Sequence, residues 1–305
     1  MKIDYLKHRT NSKRRLKEWE LNPFLFSFWQ RLFHFERYEY LFSLAIPFLK
    51  LSGLYKRGFQ HALNIRAHYL YLSFDDLPPA FKGFKILFIS DLHADRNQQI
   101  AERLINDLKN LSIDAVLLGG DYRFKLKGFF NKAIEPIKKL KENINVRDGW
   151  YAVLGNHDPF EIIDPLERMG IHFLINENIE LKRNGQSIWL IGLDEEHYFE
   201  NADYQQASLG IPEESFRIVL SHANDALLKI PSKNGQLFLC GHTHGGQICF
   251  PLIGPLLVHS RLPRSMAIGL WQFNGILGFT TTGVGTSGVP LRFNCPGEFV
   301  IIELK

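Results

Sequence analysis

Apolar positions follow two different patterns in this chain, and the change comes near residue 80. In "NPFLFSFWQRLFHFERYEYLF", Leu25, Phe28, Trp29, Leu32 and Phe33 fall on one side of a helix, with Ser27, Arg31 and His34 on the other. Further on, the apolar residues come as short, nearly unbroken runs at Lys85–Ser90, Ala115–Leu118, Tyr151–Leu154, Ile188–Ile191, Arg217–Leu220 and Leu237–Cys240. Runs of this length predict strands buried on both faces. Between them, "QQIAERLINDLKN" and "NKAIEPIKKLKEN" predict helices, the second interrupted at Pro136. After residue 245 the helical signal fades, and "ILGFTTTGVGTSG" and "GEFVIIELK" predict late strands and turns. The expected organisation is an N-terminal amphipathic helical segment, 1–74, followed by an α/β catalytic domain, 75–305.

The N-terminal segment opens with Lys2, Lys7, Arg9, Lys13, Arg14, Arg15 and Lys17. Basic residues beside an aromatic-rich amphipathic helix suit a membrane interface; the other reading is a helix packed on the catalytic domain or on a second subunit. The longest apolar run, Tyr40 to Tyr55, is broken by Pro47 and Lys50, short of the about 20 residues a spanning helix needs. "SKRRLKEWE" resembles a twin-arginine signal, but acidic residues follow it where an apolar stretch belongs. A cytoplasmic protein is expected, peripheral on the inner face of the membrane if this segment binds lipid.

The 305 residues allow one large domain with an appendage, and 45% apolar with 22% charged residues is a globular composition. A net charge of +4 and a pI near 8.8 fit an anionic substrate or an acidic membrane surface, and no nucleic-acid partner is expected. Cys240, Cys249 and Cys295 form no C-x-x-C pair, which argues against a disulfide framework and against a thiolate zinc module.

Five of the runs end in the same kind of event. They lead into Asp91-Leu92-His93, Gly120-Asp121, Gly155-Asn156-His157-Asp158, His222, and Gly241-His242-Thr243-His244. Ligands of α/β sheets bind beyond the carboxyl ends of the strands, so these tips can converge. The ligands collected from them are two carboxylates, one amide oxygen and four imidazoles. One cation takes about four to six donors; the set therefore predicts two, of a kind that accepts mixed nitrogen and oxygen ligands, Mn²⁺ foremost, with Zn²⁺ or Fe as alternatives. Singly, each residue has a plainer reading: Asp121 as a helix cap, Asn156 as a turn residue, His222 as a structural histidine. The ordered set carries the inference.

That set, D-x-H, G-D, G-N-H-D, H and G-H-T-H, resembles the calcineurin-like metallophosphoesterase superfamily over roughly residues 75 to 300. The resemblance implies a two-sheet sandwich flanked by helices. It also implies Asp91, His93 and His244 on a first metal, Asn156, His222 and His242 on a second, Asp121 bridging, and His157 as proton donor or stabiliser of charge on phosphorus. Asp158 either orients His157 or, the favoured reading, caps a helix with Pro159 at its first position and Glu161 at its third. Many members carry an Asp three residues after the bridging Asp; here that position is Phe124, which puts support for His157 in doubt. Arg123 either faces the substrate phosphate or is a solvated surface arginine.

"LGNHDP" differs from the R-G-N-H-E of the protein phosphatases. "GHTHGGQ" and the tail "TTTGVGTSGVPLRFNCPGEF" resemble a bacterial, often membrane-associated branch that includes UDP-2,3-diacylglucosamine pyrophosphatases. The expected substrate is thus a lipid-linked pyrophosphate or phosphodiester; the alternatives are a soluble or nucleotidic ester, or a scaffold that has lost catalysis. "GVGTSG" either approaches phosphates through its amides or forms tight turns, the latter favoured.

Overall fold

A computed structural model describes residues 46–305, apart from residues 98, 127, 233–234 and 256. The amphipathic stretch around Trp29 and the basic start of the chain lie outside the described residues. Two six-stranded sheets face each other. The first runs β1 (Arg66–Leu72), β14 (Glu298–Leu304), β2 (Lys85–Ile89), β3 (Ile113–Leu118), β4 (Val146–Ala152) and β5 (Ile171–Phe173). The second runs β12 (Gly269–Phe273), β13 (Ile276–Thr280), β9 (Leu237–Cys240), β8 (Arg217–Leu220), β7 (Gln186–Gly192) and β6 (Glu177–Arg183). The two-sheet α/β architecture expected from the sequence is the one observed.

The unbroken apolar runs follow from burial on both sides. In β2, Ile86 and Phe88 enter the core between the sheets, while Leu87 and Ile89 face helices α2 (Ile100–Leu108) and α3 (Asn131–Asn143). Successive side chains of a strand point to opposite faces, so a strand covered on both cannot alternate with polar residues. In the second sheet Leu237 and Leu239 point inward, and Phe238 and Cys240 belong to the outer cluster with Trp271 and Met266.

Two expectations are corrected. Arg66–Leu72 pairs in parallel with β14 along its whole length, so a boundary drawn after residue 74 leaves an edge strand of the catalytic sheet on the wrong side. The exposed positions of β1 hide it from a burial pattern, since only Leu70 and Leu72 are buried. Helix α3 is also not interrupted: Pro136 is buried inside a continuous helix of 13 residues. Ahead of β1, helix α1 (Leu54–Leu63) lies against Phe293; a Cβ on Gly58 would come within 2.6 Å of that ring.

Candidate metal centre

Strands β2, β3 and β4 of one sheet and β8 and β9 of the other deliver their carboxyl ends to a single place. The loops interlock there. The amide of His93 donates to the carbonyl of Asp121 at 3.0 Å, and that of His242 to the Asp91 carboxylate at 3.1 Å. Gly155 and Gly241 are required by this closeness: a Cβ on the first would stand 2.1 Å from Asp121 Oδ1, and on the second 2.2 Å from Asp91 Oδ2. Asp91, His93, Asp121, His242 and His244 all have φ between 41° and 68°. Asp and His tolerate the left-handed region better than most residues, and such conformations gather where surrounding structure over-determines them.

The imidazoles are held in defined orientations. A carbonyl can only accept, so Nδ1 of His93, 3.0 Å from the Arg123 oxygen, and Nδ1 of His222, 2.8 Å from the Gly119 oxygen, each carry a proton. Their Nε2 lone pairs therefore point inward. There His93 Nε2 lies 3.3 Å from His244 Nε2, which is 3.5 Å from Asp91 Oδ1. His222 Nε2 lies 3.0 Å from Asn156 Oδ1 and 3.2 Å from His242 Nδ1. Asp121 Oδ2 stands between the two groups, 3.7 Å from His93 Nε2 and 3.5 Å from His222 Nε2.

Lone pairs that face each other at this range repel unless a proton or a cation lies between them. Two donors each about 2.1 Å from one ion, at ordinary coordination angles, stand about 3.0–3.4 Å apart, close to the spacing here. Asp91, His93 and His244 form one such triad, and Asp91, Asp121 and His222 an overlapping one. The buried pocket is also built for a positive guest. Burial raises the Asp91 carboxyl to about 7, and burial together with the charges of Asp158 and Asp91 pushes Asp121 well up. Burial likewise holds His93, His242 and His244 well below the ordinary imidazole range, so they stay neutral, the form a cation would need.

His157 sits at the rim of this cluster. Its Nδ1 donates to the carbonyl of Phe124 at 2.5 Å, leaving Nε2 3.9 Å from Asp121 Oδ2. The main chain at Phe124 thus orients the imidazole, and the Phe124 ring stacks on it with centroids 5.8 Å apart.

Arg123 and Asp158 are placed differently from their sequence readings. Arg123 is buried and spends its guanidinium on the carbonyls of His157 (2.8 Å), Leu126 (2.7 Å) and Gly128 (3.0 Å). It is neither a solvated arginine nor one turned to the cavity. Asp158 makes no helix cap, since the short helical turn at Phe160–Ile162 has no side-chain cap. Its carboxylate instead accepts from the amides of Asp121 (2.7 Å), Tyr122 (2.9 Å) and Gly155 (2.9 Å).

The cavity over the cluster is walled by Asp121, Asn156, His157, His242 and His244 on one side and by Ile248, Leu257 and Val289 on the other. "GVGTSG" forms turns: Val284 and Gly285 donate to the carbonyls of Ser90 (3.0 Å) and Asp91 (2.7 Å). Arg292, which sequence reading passed over, secures this tail from within. It is fully buried, bonded to the Thr282 and Gly285 carbonyls at 2.6 Å each, and lies 3.4 Å from His244 Nδ1. A single arginine in a glycine-rich tail gives no periodic signal. His259, also at the cavity, follows no strand and gives none either.

Comparison with known proteins agrees with this geometry. The family model for calcineurin-like phosphoesterases matches residues 84–246, more than half of the chain and all seven converging ligand candidates. The chain belongs to that family. It is similar to the Escherichia coli phosphodiesterase YaeI, 32% identical over 233 residues that cover 72% of this chain and 82% of YaeI. It is similar also to the Bacillus subtilis metallophosphoesterase YkoQ, at 29% identity covering 87% of this chain and 98% of YkoQ. Among solved structures, the Thermus thermophilus sulfate thiohydrolase SoxB superposes on 68% of this chain and 53% of its own, with 14% identity and a TM-score of 0.43. As a calcineurin-like phosphoesterase, the protein is a hydrolase of phosphoesters that depends on divalent metal ions. Among the described residues no helix is long and apolar enough to cross a membrane.

Proposed function

We propose that this phosphoesterase cleaves a phosphodiester or pyrophosphate bond in a lipid-linked substrate, with two manganese ions as its resident metals. The position of the Asp121 carboxylate carries the two-metal reading, because one oxygen lies within 3.7 Å of the inward nitrogens of both groups. In this reading Asp91, His93 and His244 would hold one ion, Asn156, His222 and His242 the other, and Asp121 both. Nitrogen and oxygen donors in this mixture favour manganese over magnesium or calcium. Ions so held supply Lewis acidity towards phosphoryl oxygens and lower the pKa of a water.

The protein's own groups do the rest. His157 carries a proton on Nε2 to the leaving oxygen while Nδ1 stays bonded to the Phe124 carbonyl, which fixes the ring's orientation. Rigid loops fix the donors before substrate arrives, which spares reorganisation during the reaction. The wall of Ile248, Leu257 and Val289 receives an apolar part of the substrate. Diester cleavage is supported by the activity in the name of YaeI. UDP-2,3-diacylglucosamine, cleaved to UMP and a diacylglucosamine 1-phosphate, is the specific substrate we propose, with the enzyme working peripherally on the inner face of the membrane.

The test pairs bis(p-nitrophenyl) phosphate with UDP-2,3-diacylglucosamine in detergent micelles, with Mn²⁺, for the native protein and His157→Ala. UMP release that disappears in the variant supports the whole reading. Cleavage of the soluble diester alone keeps the two-metal chemistry and removes the lipid. Activity on neither removes both.

A further inference from the structure

The sequence after the G-H-T-H loop does something the metal site does not use. Strands β10 (Cys249–Phe250) and β11 (Gly254–Pro255) form a short antiparallel hairpin whose turn presents Leu252 fully and Ile253 largely to solvent, flanked by the half-exposed Phe250. Leu252 holds φ at 67° to do so. A bulky aliphatic residue in the left-handed region, facing water, is costly on both counts. The hairpin is also not remote from the chemistry. It is seated on Gly246, where a Cβ would fall 2.2 Å from Pro255 Cβ and 2.8 Å from the Leu257 carbonyl. Leu257 is half-exposed and lines the cavity, so the apolar wall continues outward towards the hairpin.

A second apolar element joins the hairpin at its base. The Cys249 amide donates to the Phe293 carbonyl at 2.9 Å, and Phe293 is the residue against which Gly58 of α1 packs. Along α1 and just before it, Phe48, Leu51, Leu54 and Phe59 are exposed, interleaved with exposed Lys50, Lys56 and Arg57. Beside the hairpin, exposed Arg264 donates to the Pro255 carbonyl.

Charge decides what covers this surface. The chain carries no Asp or Glu between Glu39 and Asp75, and none between Asp225 and Glu298, although acidic residues are otherwise common in it. The two acid-free stretches are those that build α1, the hairpin and the loops between them. We infer that the β10–β11 hairpin and α1 together form a docking surface for an anionic lipid bilayer, set at the mouth of the metal cavity. Apolar tips inserted at the headgroup level beside lysine and arginine, with no carboxylate in either stretch to repel lipid phosphates, satisfy both requirements of such a surface. A second copy of the chain would set one cationic face against another. The inference deepens the proposed function by naming the surface that presents substrate; it rests on that reading for the substrate and not for the docking.

The experiment is flotation of the full chain with phosphatidylcholine vesicles, with and without phosphatidylglycerol, alongside hydrolysis of bis(p-nitrophenyl) phosphate by the same preparations. The native protein is expected to float with the anionic vesicles, less so with neutral ones or in high salt. The double variant Leu252→Asp, Ile253→Asp, whose side chains touch no core, should lose about tenfold or more in partitioning and keep its rate on the soluble diester. Lys56→Glu, Arg57→Glu should lose partitioning to anionic vesicles only. A native protein that stays in solution, or a hairpin variant that floats as well as the native protein, overturns the inference. Self-association through the hairpin in place of flotation overturns it in favour of a protein interface. Flotation with no diester hydrolysis would leave the docking surface standing and remove the catalytic reading.

Discussion

The carboxylate of Asp158 holds the backbone of Asp121: one oxygen accepts the Asp121 amide at 2.7 Å, and the other accepts the next amide, of Tyr122, at 2.9 Å. The loop that follows β4 thereby fixes the loop that follows β3, in the left-handed conformation that aims Asp121 at both groups of ligand candidates. Asp158→Ala leaves several buried amides without acceptors. Each such group costs about 1–3 kcal/mol, so an equilibrium urea unfolding midpoint should show a loss of at least about 3 kcal/mol, with reduced metal content. A loss near 1 kcal/mol, the usual worth of a helix cap, would return Asp158 to its sequence reading.

Asp121→Ala should abolish binding of both ions, because its Oδ2 lies 3.7 Å from His93 Nε2 and 3.5 Å from His222 Nε2, one from each group. His244→Ala, a residue on the His93 and Asp91 side, should retain one. Metal analysis of the two purified variants separates the cases, and two ions retained in Asp121→Ala would exclude a bridge.

For His157→Ala, metal content should be unchanged and kcat on a soluble diester lower by about 10²–10⁴-fold, the usual range for a positioned general acid. Phe124→Ala should cost far less, since the bond that orients His157 goes to the main chain at that position. An equally inactive Phe124→Ala would mean that ring stacking, not the carbonyl, positions the imidazole.

Arg123→Ala should lower stability by about 2 kcal/mol or more through loss of three carbonyl partners. KM should be nearly unaffected. A selective rise in KM with unchanged thermal stability would restore a role on the substrate phosphate.

Metal affinity should depend on pH with a definite sign. With its carboxyl raised to about 7 in the metal-free pocket, Asp91 holds a proton below that pH, and an incoming cation must displace it. Calorimetric titration should show affinity falling about tenfold per pH unit per displaced proton as pH drops below 7. The depressed His93, His242 and His244 are already neutral there and add no further slope. Affinity independent of pH between 5 and 7 would contradict the raised carboxyl.

Much of the scaffold was legible because burial on both faces leaves an unmistakable trace. Arg217–Leu220 and Leu237–Cys240 coincide with β8 and β9, and Lys85–Ser90 runs one residue past β2. Strand β6, with glutamate and lysine on its open face, and β1, mostly exposed, left no such trace. The ligand candidates were legible for a related reason. Each follows a strand end, and parallel strands of facing sheets carry their ends to one side.

The residues around the ligands were not legible. Asp158, Arg123 and Phe124 acquire their roles from partners more than 30 positions away, on loops whose path depends on left-handed turns and on glycines with no room for a Cβ. The sequence by itself determined which donors the protein owns and that strands deliver them. Only the tertiary structure decided which carbonyl orients each imidazole and which carboxylate serves the backbone, because a hydrogen bond depends on what lies opposite, and the loops settle that only when they meet.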